Sequence, residues 1–148
     1  MEPFRAPATM EWSTTVGFMT TTASPTTTAV AEELVSLCRA GRNLDAITNF
    51  YSPDIVSVES MGNEQMPREN KGIDAIMEKN KWWVDNNIVN SASVEGPFIG
   101  DGDKFAVYYN YDVTSKQTGK RNEMEEMALY TVKDGKVVHE HFFYKTGP

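Results

Sequence analysis

The sequence predicts an α+β domain: a curved antiparallel sheet wrapped around helices gathered in its N-terminal half. Three observations carry this. First, 103–144 reads as three strands in succession, KFAVYYNYDVT, EMEEMALYTV and KVVHEHFFYK, with the period-two alternation of aromatic and β-branched residues typical of half-buried strands. Second, Asp134-Gly135 joins the last two strands, and this dipeptide suits a type I′ hairpin turn because both positions tolerate positive φ. Third, helical spacing is confined to three segments that precede the meander, and helices segregated to one face of an antiparallel sheet define the class.

The elements follow in order. Residues 1–27 are rich in Thr, Ser, Ala and Pro, without the continuous apolar core of a signal peptide. They read as a flexible extension in which Met10 or Met19 can be the true start and Trp12 and Phe18 can anchor to a surface. Ser24-Pro25 predicts a helix N-cap and first-turn proline, with the helix running to about Ala40 and Val30, Leu34, Leu37 and Cys38 on one side. Gly41 is placed to end it in a left-handed residue. Asn43 can cap a second helix from Leu44 to about Phe50, which Tyr51-Ser-Pro-Asp54 breaks. Ile55–Glu59 is a short strand. Met61–Lys71 is polar, contains Gly62 and Pro67, and reads as a mobile loop of the kind that covers a pocket. A third helix runs from Gly72 to about Asp85, with Ile73, Ile76, Met77, Asn80 and Trp83 as its inner stripe and Trp82 beside it. Ile88–Ile99 is a strand interrupted at Gly96-Pro97, which predicts a bulge or an edge position.

The chain has 148 residues, 40% hydrophobic and 24% charged, enough for one domain with a proper core. Its net charge of -7 argues against a nucleic-acid partner, which needs clustered Lys and Arg. No apolar run is long enough to span a membrane. The single cysteine, Cys38, excludes an internal disulfide and fits the cytoplasm; its helical spacing with Leu34 marks it as a buried small hydrophobe.

The Asp-Gly turn fixes a register for the last hairpin, with Val132 opposite Val137. One face then carries Glu125, Met127, Leu129 and Thr131 beside Val138, Glu140, Phe142 and Tyr144. The other carries Glu126, Ala128, Tyr130 and Val132 beside Val137, His139, His141 and Phe143. A slip of one residue exchanges the faces, and hydrophobicity alone leaves open which is inner.

Three segments resemble the SnoaL-like branch of the nuclear transport factor two-like superfamily, whose members include ketosteroid isomerases, polyketide cyclases and limonene epoxide hydrolase. They are the junction Phe50-Tyr-Ser-Pro-Asp-Ile-Val-Ser-Val-Glu59, Gly72-Ile-Asp-Ala-Ile with Trp82-Trp83 downstream, and Tyr130-Thr-Val-Lys-Asp-Gly-Lys-Val-Val138 running into His139-Glu-His-Phe-Phe-Tyr144. The likeness covers roughly 28–145 and implies a cystatin-like cone with a pocket between the concave sheet and the helices. It implies Glu59 at the position of the ketosteroid isomerase base, and it turns Val138, Glu140, Phe142 and Tyr144 inward. The first of the two faces is therefore expected to be the inner one. Departures are specific. The isomerases' acid donor would fall near Met127 or Leu129, no tyrosine stands inside the first helix, the hydrolase's Asp-Arg-Asp set has no match, and a cyclase-type acid would fall at Phe142.

Glu59 and Glu140 are then the candidate catalytic pair, since two carboxyls in an apolar pocket raise each other's pKa and divide the roles of acid and base. The alternative leaves Glu59 in solvent and pairs Glu140 with a Lys or Arg. Tyr144 is a candidate donor to a ligand oxygen. Trp82, Tyr109, Glu125, Met127, Leu129 and Phe142 are the candidate pocket lining, against plain core packing. His139-x-His141, with Glu126 on the same expected face, has chelating spacing but no further ligand, so no metal or cofactor is expected. Those histidines, with Tyr130 and Phe143, are instead expected at a homodimer interface on the outer face. The expectation is a cone domain at 28–148 that binds a small organic molecule and is either a cofactor-free isomerase, cyclase or hydrolase, or a non-catalytic binding or assembly domain.

Overall fold

The computed structural model describes residues 24–146 apart from Asp101; most of the expected N-terminal extension lies outside the described residues. Helix α1 spans Thr27–Arg39 and α2 spans Asn43–Phe50. Strand β1 (Tyr51–Val58) is followed by the short β2 (Glu69–Lys71), helix α3 (Ile73–Asn86), and strands β3 (Asn87–Ile99), β4 (Lys104–Ser115), β5 (Arg121–Lys133) and β6 (Lys136–Phe143). The six strands form one sheet in the order β2-β1-β6-β5-β4-β3. Every pairing is antiparallel except β1 with β6, which is parallel.

Local chemistry sets the helix ends. Thr26, not Ser24, caps α1: its Oγ1 accepts from the Ala29 N–H at 3.1 Å. Pro25 lies just outside the helix, against Gly135. At the other end Gly41 takes φ 74°. Its N–H donates to the Cys38 carbonyl and that of Arg42 to Leu37, so a Schellman motif closes the helix. Asn43 opens α2 from within rather than capping it; its amide donates to the Tyr111 hydroxyl at 3.4 Å. Gly72, at φ 91°, starts α3 where the chain leaves β2.

The core lies between the helices and one sheet face. Val30, Ala31, Leu34, Val35 and Cys38 of α1, Ala46 and Ile47 of α2, and Ile76 of α3 meet Val94, Phe105, Val107, Tyr109, Ala128, Tyr130, Val132 and Val137. β4 alternates as its sequence predicts, with Phe105, Val107, Tyr109 and Val113 buried. β3 is an edge strand whose register shifts between Glu95 and Phe98, at the Gly96-Pro97 interruption.

The last hairpin departs from the expected register. Asp134 (φ 52°) and Gly135 (φ 76°) form the turn and Val132 faces Val137, but the next pair is Thr131 with His139. Val138 is the extra residue of a β-bulge, and beyond it the two strands are out of step with simple alternation. Glu140 therefore stands opposite Tyr130, and Phe142 opposite Ala128. The inner face combines Glu126, Ala128 and Tyr130 of β5 with Glu140 and Phe142 of β6. The inward orientation expected for Glu125, Met127 and Leu129 is thus corrected. They sit on the outer face, where Met127 is 41% exposed and Glu125 accepts from the Tyr108 hydroxyl at 2.6 Å. Tyr130 moves the other way, into the core at 2% exposure.

Candidate active site

The end of β1, the end of β6 and the middle of α3 bring one polar cluster together on the inner face. Ser60 sets its frame, its hydroxyl donating to the Phe142 carbonyl at 2.8 Å and accepting from the Tyr144 N–H at 3.1 Å. That clasp holds Glu59 beside Tyr144, whose hydroxyl donates to Glu59 Oε1 at 2.9 Å. From α3, Lys79 Nζ donates to Glu59 Oε2 at 2.8 Å and to Ser57 Oγ at 3.2 Å. It also stands 5.8 Å from the centroid of the Phe142 ring. The alternative of a solvent-held Glu59 is not what the fold presents, because the Lys79–Glu59 pair is mostly covered. Burial and the Glu59 charge push the Tyr144 hydroxyl up to about 12, so it is a donor at neutral pH.

Glu140 lies deeper, 1% exposed. Tyr51 donates to its Oε1, and Ser57, its cross-strand neighbour on β1, also hydrogen-bonds it. Burial raises its pKa, and those two hydrogen bonds pull against the rise. Its partners are hydroxyls, not the Lys or Arg of the alternative reading, and it is walled off from any ligand by the groups that satisfy it. Tyr109 is similarly enclosed: its hydroxyl bonds that of Tyr130 at 2.7 Å and contacts Cys38 Sγ at 3.7 Å. Burial pushes the Cys38 thiol up to about 11, which makes it an inert core group rather than a nucleophile.

The carboxyl that sequence reasoning placed on the wrong face is Glu126. It is cross-strand from Tyr109 on the inner side of β5 and mostly covered, and it takes part in no hydrogen bond or ion pair among the described residues. Burial first, then the charges of Glu59 and Glu140, push its pKa up to about 7, while Lys79 pulls the other way. Tyr111, stacked on Tyr109 at 5.9 Å between ring centroids, and Trp83, 5.9 Å from Tyr111, bring aromatic rings to this side of the inner face. A signal for Glu126 was present: it continues the series Ala128, Tyr130, Val132 at period two, a lone carboxyl on an apolar row. Lys79 carried a weaker one, lying next to the α3 stripe.

Trp82 points elsewhere. It is 47% exposed and lines a groove of about 400 Å³ with Gln65, Met66, Pro67 and Lys79, between α3 and the segment before β2. His139 and His141, whose spacing suits chelation, lie apart from Glu126. His139 and His141 pair with Val56 and Val58 on the face opposite Glu126, and among the described residues no group of three His, Cys, Asp or Glu side chains is placed to hold a metal.

A curved, unclosed sheet packed on N-terminal helices, with titratable groups gathered on its inner face, defines a cone-shaped α+β domain of the NTF2-like type. The chain belongs to the SnoaL-like domain family, whose model matches residues 25–144. It is similar to a Mesorhizobium loti protein provisionally named a SnoaL-like polyketide cyclase, with carbohydrate phosphatase as a second name. The two are 38% identical over 81% of this chain and 100% of that one, with a TM-score of 0.76. It also shares its fold with an NTF2-like protein of Burkholderia thailandensis (18% identity, 82% of this chain and 92% of that one, TM-score 0.68). A third likeness is to a Xanthomonas campestris protein of unknown function with a cystatin-like fold (17%, 82% and 92%, TM-score 0.64). No curated protein matches the chain. No helix among the described residues is long and apolar enough to cross a membrane.

Proposed function

We propose that this domain binds a small, largely apolar organic molecule against the inner sheet face and moves a proton on it without a cofactor. Glu126 takes or gives the proton, and Tyr144 and Glu59 face the polar end of the ligand. The observation that carries this reading is Glu126: a mostly covered carboxyl with no partner among the described residues, pushed to about 7. A general base or acid works best when its proton affinity lies near the working pH. The reaction class is isomerisation, cyclisation or hydrolytic ring opening of a carbonyl- or ring-containing compound. Glu140, sealed by Tyr51 and Ser57, acts on the site only through its charge and its hydrogen bonds.

The test is a thermal-shift and turnover screen of wild type and Glu126→Gln against ketones, lactones, epoxides and polyketide-like aromatics. A compound that stabilises both proteins and is consumed only by wild type supports proton transfer at Glu126. A compound that stabilises both and is consumed by neither leaves a binding domain, and equal turnover by both removes Glu126 from the chemistry.

The domain works in the cytoplasm as a homodimer through its outer sheet face. Support comes from Phe98, Met127 and Phe143, which are 55%, 41% and 47% exposed there, beside His139 and the His141 ring stacked on Phe143 at 4.1 Å. Such a contiguous apolar patch on a sheet calls for a partner. Burial holds the His141 pKa below its usual value, and its protonation as the pH falls loosens the dimer. Sedimentation is expected to give a dimer at pH 7.5 and a monomer for Phe143→Glu; a wild-type monomer contradicts this.

A further inference from the structure

The groove beside α3 has the makings of a binding site of its own. It lies between that helix and the segment that leads from β1 to β2, and it encloses about 400 Å³, within the range of small-molecule sites. Trp82, Met66 and Pro67 give it an apolar wall. Trp82 and Met66 are 47% and 41% exposed, so one concavity holds two large apolar side chains that only a ligand can cover. Hydrogen bonds shape the wall in advance. The Glu59 N–H donates to the Arg68 carbonyl at 2.7 Å, and the Asn63 N–H donates to the Met66 carbonyl at 2.8 Å. Asn63 Oδ1 accepts from the Met66 N–H at 2.8 Å, and the Asn70 amide donates to the Pro67 carbonyl at 3.2 Å. Gly62 lies so close to the Arg68 backbone that a Cβ there would collide with it. A wall fixed before binding costs little to order.

Lys79 supplies the polar end. It lines the groove and reaches from there to the Glu59 carboxylate. An ammonium carries three N–H groups. Two are spent, on Glu59 at 2.8 Å and on Ser57 at 3.2 Å, and among the described residues no hydrogen bond takes the third. Its charge is already matched by Glu59, and the exposed Glu78 adds a negative charge to the groove. An anion therefore gains little there, whereas a neutral carbonyl oxygen needs only the remaining N–H. We propose that this groove is a second binding site, for a flat, uncharged aromatic carbonyl compound: its ring packs on Trp82, Met66 and Pro67, and its oxygen accepts the third N–H of Lys79. The site stands apart from Glu126 and does not depend on proton transfer there.

The experiment is an NMR titration of the full chain with acetophenone, ethylbenzene and benzoate. The three share one ring and carry a neutral carbonyl, no oxygen and a carboxylate respectively. The Trp82 indole N–H, assigned with Trp82→Phe, and the Met66 methyl, assigned with Met66→Leu, report the groove. The Trp83 indole reports the inner face, so failure at one site is not mistaken for failure at the other. Acetophenone is expected to shift both groove signals to saturation. Followed at the Met66 methyl, its affinity is expected to fall about tenfold in Trp82→Ala and about fivefold in Lys79→Met. Ethylbenzene and benzoate are each expected to bind wild type at least about fivefold more weakly. Trp82 lies outside the core, so its variant folds; if Lys79→Met does not, the three probes on wild type decide the part played by its N–H. Groove signals unmoved up to the solubility limit of acetophenone overturn the proposal, as does either comparison probe binding as tightly as acetophenone.

Discussion

Replacing Glu126 by glutamine keeps the shape of the side chain and removes its titration. The carboxyl ordinarily titrates at 4.5 and is pushed to about 7 in the folded chain. Below pH 4.5 it is protonated in both folded and unfolded chains and contributes nothing to the pH dependence. Between 4.5 and 7 the unfolded chain sheds the proton while the folded chain keeps it, so stability falls as pH rises. Above 7 the loss is complete. The interval of about 2.5 pH units, at ~1.4 kcal/mol each, gives a loss of at most about 3.5 kcal/mol, an upper figure because the group is not fully covered. Glu126→Gln should escape this loss. Urea denaturation of both proteins at pH 4.5 and pH 8 measures it, taking the variant minus wild-type difference at each pH. Contributions common to both, such as Asp112 held at about 2 by Arg121, cancel in that difference. The difference is expected to grow by about 2–3 kcal/mol between the two conditions, equivalent to roughly 10 °C in Tm. A difference that stays constant within about 0.5 kcal/mol refutes the reasoning, since that is the scatter of an ordinary surface substitution.

Two further outcomes follow from named contacts. Tyr51→Phe removes the hydroxyl that donates to the fully buried Glu140, and its cost is expected to be about 1–3 kcal/mol; urea denaturation with no change in midpoint contradicts that hydrogen bond. Gly135→Ala forces a side chain onto a left-handed residue and sets its Cβ 2.5 Å from Pro25 Cδ. A destabilisation above about 1 kcal/mol is expected, and a neutral result rejects the turn as described.

The strands were legible because burial on one face writes itself into alternation, and the aromatic row of β4 and the Asp-Gly turn read directly. The two sides of the last hairpin were not. A bulge at Val138 changes no composition, yet it slides β6 by one residue against β5. Val137 and Glu140, three residues apart, are both buried, so alternation along β6 breaks at the bulge, and the position of that break is not inferable from the sequence alone. The family resemblance turned Val138, Glu140, Phe142 and Tyr144 inward; Glu140 and Phe142 meet the inner side, but Val138 is the bulge residue and Val137 takes the core position instead. Carrying that orientation across an unbulged hairpin then turned Glu125, Met127 and Leu129 inward and Glu126 outward. The helix starts show a smaller version of the same limit. Ser24, Thr26 and Asn43 are all competent caps, and only Thr26 is placed where its oxygen meets a free N–H. Lys79 lies next to the α3 stripe, but its partners Ser57 and Glu59 sit on β1 and just past its end, which the local spacing of the helix does not record.

The proposed chemistry depends most on Glu126 exchanging its proton near neutrality. Carbon-13 titration of that carboxyl in the wild-type protein measures this with no substrate and no variant beyond the assignment control. A midpoint near 7 is the result the fold predicts; a midpoint near 4.5 would mean that the carboxyl is solvated and that the proton-transfer site lies elsewhere.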